Sequence, residues 1–171
     1  DSQSPAPDSC VRTADHWWVP PACQRESFCD STRAWLAIGR QESVVGRQVL
    51  VYDRGPGSAE STTTEPQTVL LLHGFPTSCY DWRGVVEQLS KRFRCVAPDL
   101  LGLGLSDKPL AFSYSLFQQA DMIEELLAGM NVRAAHVVSH DLGTSLHSEL
   151  LARQAEGKLK FKLQTSTFLN G

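Results

Sequence analysis

Apolar side chains follow neither a helical nor a strand period over residues 1–32, and the Pro, Ser, Asp and Cys content there predicts an irregular N-terminal extension outside the core. Trp17 and Trp18 are its strong apolar anchors. The pattern changes at Arg33, and residues 33–171 read as one folded domain. Ala34 to Ile38 and Gln48 to Tyr52 are short β-prone runs with Gly39 and Gly46 in the stretch between them, which predicts two antiparallel strands. Gly55 to Thr64 carries turn formers and no apolar pattern, so it predicts an exposed connector.

Beyond the connector, continuous apolar runs alternate with amphipathic stretches. Val69 to Leu72 predicts a strand buried on both faces, and Trp82, Val85, Val86 and Leu89 then recur at helical spacing. Cys95 to Ala97 is a second buried run, followed by a helical face of Leu116, Ala120, Ile123 and Leu127 for which Ser115 is the predicted cap. His136 to Val138 predicts a further strand. The next helix carries Leu146 and Leu150 on one face, with Glu149 and Arg153 one turn apart. Leu163, Thr165, Thr167 and Leu169 then fall at period two. This alternation predicts an α/β fold, a mostly parallel sheet with helices on both faces whose ligands bind beyond the carboxyl ends of the strands.

Composition removes several alternatives. The 171 residues are 42% hydrophobic and 20% charged, which excludes a collagen-like, coiled-coil or wholly disordered chain. Lys plus Arg number 16 against 19 Asp plus Glu, so no basic surplus is available for nucleic acid or anionic lipid. No apolar run approaches the roughly 18–20 residues that span a bilayer. The residues present are therefore expected to be soluble, with membrane association only through segments outside this chain. Because the sequence begins at Asp1 rather than Met, the compartment stays open. Cys10, Cys23, Cys29, Cys79 and Cys95 form no C-x-x-C, so neither a zinc site nor a closed disulfide framework is implied. Free thiols are the preferred reading of the first three, a bridge among them the alternative.

Chemistry is sought after each strand. His73-Gly74-Phe75-Pro76 follows Leu72, and Gly74 permits a sharp turn that aims the next N–H into a cleft, a candidate oxyanion donor. The loop from Pro98 to Asp107 contains Gly102 and Gly104, but a dinucleotide-binding loop would need a third Gly where Asp107 stands, and Pro109 follows closely. Ser139-His140-Asp141-Leu142-Gly143 joins a strand directly to a helix, with small residues two before and two after Asp141. That is the pattern of a nucleophile elbow, which presents its apex side chain on top of the sheet. A carboxylate at the apex suits displacement at a saturated carbon, forming an ester that water then hydrolyses, whereas a serine would attack a carbonyl. Taken alone, Asp141 reads equally well as a helix cap. Ser139 lies two positions too early to serve as an apex serine. His136, His140 and His147 fall on strand, turn and helix, so they point apart and predict no metal site.

The three loops occur in the order found in the α/β-hydrolase superfamily, which the chain resembles over roughly residues 66–171. His73 to Trp82, Ser106-Asp107-Lys108-Pro109 and Ser139-His140-Asp141 are similar to the epoxide-hydrolase-like branch that includes the mesoderm-specific transcript proteins. The resemblance implies Asp141 as nucleophile, the backbone N–H groups of Phe75 and Leu142 as oxyanion hole, and His73, Gly74, His140 and Gly143 as supports. It implies a small electrophilic substrate and no cofactor or metal, and it suggests the endoplasmic reticulum membrane as an alternative location. Haloalkane dehalogenases typically place Trp after the nucleophile and often Asn after the His-Gly pair, where Leu142 and Phe75 stand here, so dehalogenation is disfavoured. In the family the catalytic acid and His follow on later strands, and lid tyrosines supply acids. The sequence is therefore expected to be the N-terminal part of such a hydrolase, truncated after about the sixth strand without lid or C-terminal strands, and inactive alone. The rival expectation is a non-catalytic module that keeps the fold for binding, or a hydrolase of another substrate class such as a dehalogenase or esterase.

Overall fold

Helix α1 (Asp30–Ile38) opens the computed structural model, which describes residues 30–56 and 66–170. It corrects the expected strand at Ala34 to Ile38. Ala, Leu and Arg favour helix, and Asp30 lies in the first turn, where a negative charge meets the positive end of the helix dipole. The helical geometry lets Trp35 reach the sheet and stack on Tyr52, ring centroids 4.1 Å apart. The antiparallel hairpin forms instead from β1 (Arg40–Val44) and β2 (Arg47–Arg54). Its two-residue turn, Val45-Gly46, has φ of 49° and 72°, the primed geometry that matches strand twist. Val is uncommon at such a position, so composition did not announce the turn. Most of the expected connector, residues 57–65, lies outside the described residues, as do the proposed extension up to residue 29 and its three cysteines.

Next come β3 (Thr68–Leu72), a 3₁₀ turn (Cys79–Trp82), α2 (Arg83–Leu89), β4 (Arg94–Pro98) and α3 (Leu116–Gly129). They are followed by β5 (Ala134–His140), α4 (Leu142–Ala155) and β6 (Lys162–Leu169). The strands lie in the order β1-β2-β4-β3-β5-β6, parallel from β4 to β6 and antiparallel at β1/β2 and β2/β4. From β3 the chain departs toward β4, and from the adjacent β5 it departs the opposite way toward β6. Loops that leave neighbouring strands in opposite directions open a crevice at the carboxyl ends of those strands.

Alternation along β3 builds two cores. Leu70 and Leu72 pack with Leu126 and Leu127 of α3 and with Leu146 and Leu150 of α4, while Val69 and Leu71 pack with Trp35, Trp82 and Val86 on the other face. Within the expected helical face of α2, Trp82 belongs to the 3₁₀ turn and Val85 is exposed, so Val86 and the partly buried Leu89 carry the contact. Ser115 caps α3, accepting a bond from the Gln118 N–H. Arg153 fastens α4 to α3 through Asp121 and the buried Glu124, both at 2.6 Å, and is held by Glu149 of its own helix at 2.8 Å.

Candidate active site

Strands β3 and β5 run side by side in a register that pairs Leu72 with Ser139. The residues that follow, His73-Gly74-Phe75 and His140-Asp141, therefore emerge together. Strand β5 ends at His140 and α4 starts at Leu142, so Asp141 makes the turn by itself, at φ 51° and ψ −121°. An L residue rarely occupies that region, and the conformation survives only where its surroundings over-determine it. Gly143 is one such constraint: a Cβ there would sit 2.5 Å from the Leu72 carbonyl oxygen, so α4 can start this close to β3 only with glycine. Thr144 is another, its N–H and hydroxyl both donating to the Asp141 carbonyl at 2.8 and 2.7 Å. Gly74 is needed for close approach, since a Cβ at that position would lie 2.5 Å from the Asp141 Cβ.

The Asp141 carboxylate is held by one oxygen. Oδ1 accepts from the Phe75 N–H at 2.9 Å and from the Leu142 N–H at 2.6 Å, and Oδ2 receives no hydrogen bond from the described residues. An ordinary N-cap accepts from the second or third helical N–H. Here the donors are the first helical residue and a loop 66 residues away in sequence. The Phe75 bond first, then the Leu142 bond, hold the Asp141 carboxyl below the usual carboxylate range, and the charge of nearby His140 acts in the same direction.

The other imidazoles are committed elsewhere. His73 is fully buried; its Nδ1 donates to the Gly74 carbonyl at 2.8 Å, which leaves Nε2 to accept the Leu100 N–H at 2.9 Å. These partners require the neutral ring, and burial pushes its pKa down. His147, also fully buried, lies between the hydroxyls of Ser139 and Ser166 at 2.9 and 3.0 Å and stacks on Phe168. The Ser139–His147 contact has the spacing of a nucleophile and its base, yet both side chains are sealed from solvent. His136 bonds Thr165 Oγ1. Among the described residues no group of His, Cys, Asp or Glu is placed to hold a metal.

The loop after β4, which lacks the third glycine of a phosphate cradle and carries the Ser106-Asp107-Lys108-Pro109 motif, is held together by its own carboxylates. Asp99 is buried and accepts from the Cys79 and Leu105 N–H groups, both at 2.7 Å, while Asp107 accepts from the Gln48 N–H at 2.8 Å. Beyond that loop lies a cavity of about 350 Å³. Phe75 and Leu142 line it beside Leu100, Leu103, Lys108, Tyr114 and Gln119. Local pattern offers no signal for Tyr114 or Gln119, and Lys108 entered only as part of a motif.

A strand-to-helix elbow at a sheet's switch point, faced by two backbone donors, is the architecture of an α/β hydrolase, and the chain belongs to the alpha/beta hydrolase fold family, whose profile matches residues 67–160. Among curated relatives, the putative hydrolase LipZ of Mycobacterium tuberculosis is 40% identical over 82% of this chain and 46% of its own length. The human mesoderm-specific transcript homolog protein is 38% identical over 82% of this chain and 40% of its own. The crystal structure of epoxide hydrolase VrEH1 from Vigna radiata superposes with a TM-score of 0.65 at 29% identity, covering 78% of this chain and 39% of that one. Haloalkane dehalogenases also match in sequence and structure. The chain thus spans less than half the length of each of the three relatives quoted with coverage.

Proposed function

We propose that this chain carries the nucleophile of a hydrolase that opens an epoxide, or a related small electrophile, through an ester at Asp141. One observation carries the reading: Oδ1 is engaged by two convergent N–H groups, from Phe75 and Leu142, whose residues line an apolar cavity, while Oδ2 takes no hydrogen bond from the described residues. Oδ2 attacks the electrophilic carbon, the ring C–O bond breaks, and its electron pair leaves on an alkoxide that takes up a proton. Oδ1 then becomes the ester carbonyl oxygen, already in contact with Phe75 and Leu142. When water adds to that carbonyl carbon, the developing oxyanion stays on Oδ1, where the same donors stabilise it. Collapse releases the diol and restores the carboxylate.

His73 and His147 have no part in activating the water, because both ring nitrogens of each are engaged inside the protein. The base is the later His that the family resemblance implies. A halide leaving group is disfavoured because Phe75 and Leu142 offer it no side-chain N–H. A match to an epoxide hydrolase and a partial match to dehalogenases support a displacement mechanism without selecting its substrate.

The test is a single turnover of styrene oxide by the full-length protein in oxygen-18 water, read by mass spectrometry. The label is expected in the Asp141 side chain, with ordinary oxygen in the diol, and D141N should form no adduct. Label appearing directly in the diol, or turnover surviving in D141N, would overturn the assignment.

A further inference from the structure

The cavity beside Asp141 is apolar over most of its wall, with three polar side chains set into it: Lys108, Tyr114 and Gln119. Two are occupied. The Tyr114 hydroxyl donates to the Pro109 carbonyl at 2.8 Å, and the Gln119 Nε2 donates to the Leu101 carbonyl at 2.8 Å. Lys108 differs. Its ammonium donates to the carbonyls of Gly104 and Ser106 at 2.8 and 2.9 Å, which uses two of its three protons. Both partners are neutral, so the charge is solvated but not paired by them.

Two carboxylates lie near enough to be felt, and both have other work. Asp99 accepts from the Cys79 and Leu105 N–H groups, and Asp107 accepts from the Gln48 N–H. Partial burial is the largest influence on Lys108 and pushes its pKa below the ordinary lysine value, against the pull of Asp99 and Asp107. A half-buried ammonium with one proton uncommitted, on the wall of an apolar cavity, gains more from an arriving anion than a solvated lysine would.

We propose that Lys108 forms an anion subsite in this cavity, so that the preferred substrate is an electrophile bearing a carboxylate on an apolar body. The inference rests on the reading of Asp141 as nucleophile, since it takes the cavity to be where the substrate lies. Phe75 and Leu142 line the same cavity, which puts a bound carboxylate and the electrophilic carbon within one ligand. The leucines take the apolar body, and the third N–H of Lys108 donates to a carboxylate oxygen.

Binding of hexanoate and of hexanol to the full-length protein, measured by calorimetry, tests this directly. Neither ligand reacts with Asp141, so the ratio of their affinities reads the subsite whether or not Asp141 is the nucleophile, and the oxygen-18 experiment fails or succeeds separately. Hexanoate is expected to bind about tenfold more tightly than hexanol, as befits a hydrogen bond to a charged group. The ratio should fall toward one in K108M and in K108Q, and persist in K108R. K108Q keeps a donor for the Gly104 and Ser106 carbonyls, which guards against a loop that fails to fold in K108M. Equal affinities in the wild type, no measurable hexanoate binding, or a preference that survives in both charge-free variants would overturn the proposal.

Discussion

Two backbone N–H groups determine how Asp141 ionises. Because they bond the charged form, its proton is bound more weakly than in an ordinary carboxyl, and the ionised form persists to lower pH. Labelling of Asp141 by styrene oxide is therefore expected to stay flat as pH falls to about 4, the usual aspartate value, and to decline only below it. A decline centred above that value would contradict the bonding seen here. The two glycines of the site should separate in their effects. Gly74→Ala pushes a methyl against the Asp141 side chain, so hydrolysis of the Asp141 adduct should slow by about 10²–10³, the loss expected when one contact of the proposed oxyanion hole is spoiled. Gly143→Ala meets a backbone carbonyl that cannot turn aside, so its main cost is stability, about 1–3 kcal/mol by urea denaturation.

Among the elements, α1 buries one side chain, Trp35. Trp35 stacks on Tyr52 of β2 and meets Tyr80 edge-on with ring centroids 5.9 Å apart. Removing that ring in Trp35→Ala should cost about 3 kcal/mol in urea denaturation, the lower end for a buried Trp, since Trp35 is the buried side chain of α1. The loop after β4 is fixed differently, by polar bonds rather than area. Its buried Asp99 satisfies two N–H groups and leaves no room at Gly104, where a Cβ would lie 2.0 Å from Oδ2. The rigidity of this loop matters to the site because Leu100, Leu103 and Lys108 shape one wall of the cavity.

For the molecule as a whole, two fully buried neutral imidazoles impose a pH dependence. Burial lowers the pKa of His147 to about 4 and lowers that of His73, whereas an exposed histidine in the unfolded chain titrates near ~6.5. As pH falls through that window the unfolded state takes up protons that the folded state refuses, so stability drops; above it neither form is protonated and nothing changes. Denaturation midpoints measured from pH 7 to ~4 should fall with acid, and His147→Gln should flatten that slope while leaving the His73 part. A slope unchanged by the substitution would mean that His147 is protonated in the folded state.

The sequence by itself determined the alternation of strands and helices, the two-faced core and the elbow at Asp141, because each depends on residues within a few positions of one another. A continuous apolar run next to an amphipathic stretch means a strand buried by helices wherever it occurs, and a strand running straight into a helix needs small neighbours at Ser139 and Gly143. Helix α1 escaped that logic: a run of five apolar residues, Ala34 to Ile38, suits either state, and contact with Tyr52 selected the helix. The hairpin turn at Val45-Gly46 escaped it too, since pairing of β1 with β2 imposed a positive φ on a valine. Only the tertiary structure decided that Phe75 and Leu142 share one oxygen of Asp141, and that Lys108 lines the same cavity as both. Those contacts join segments far apart in the chain, and their geometry follows from strand order and register, which no local pattern of side chains contains.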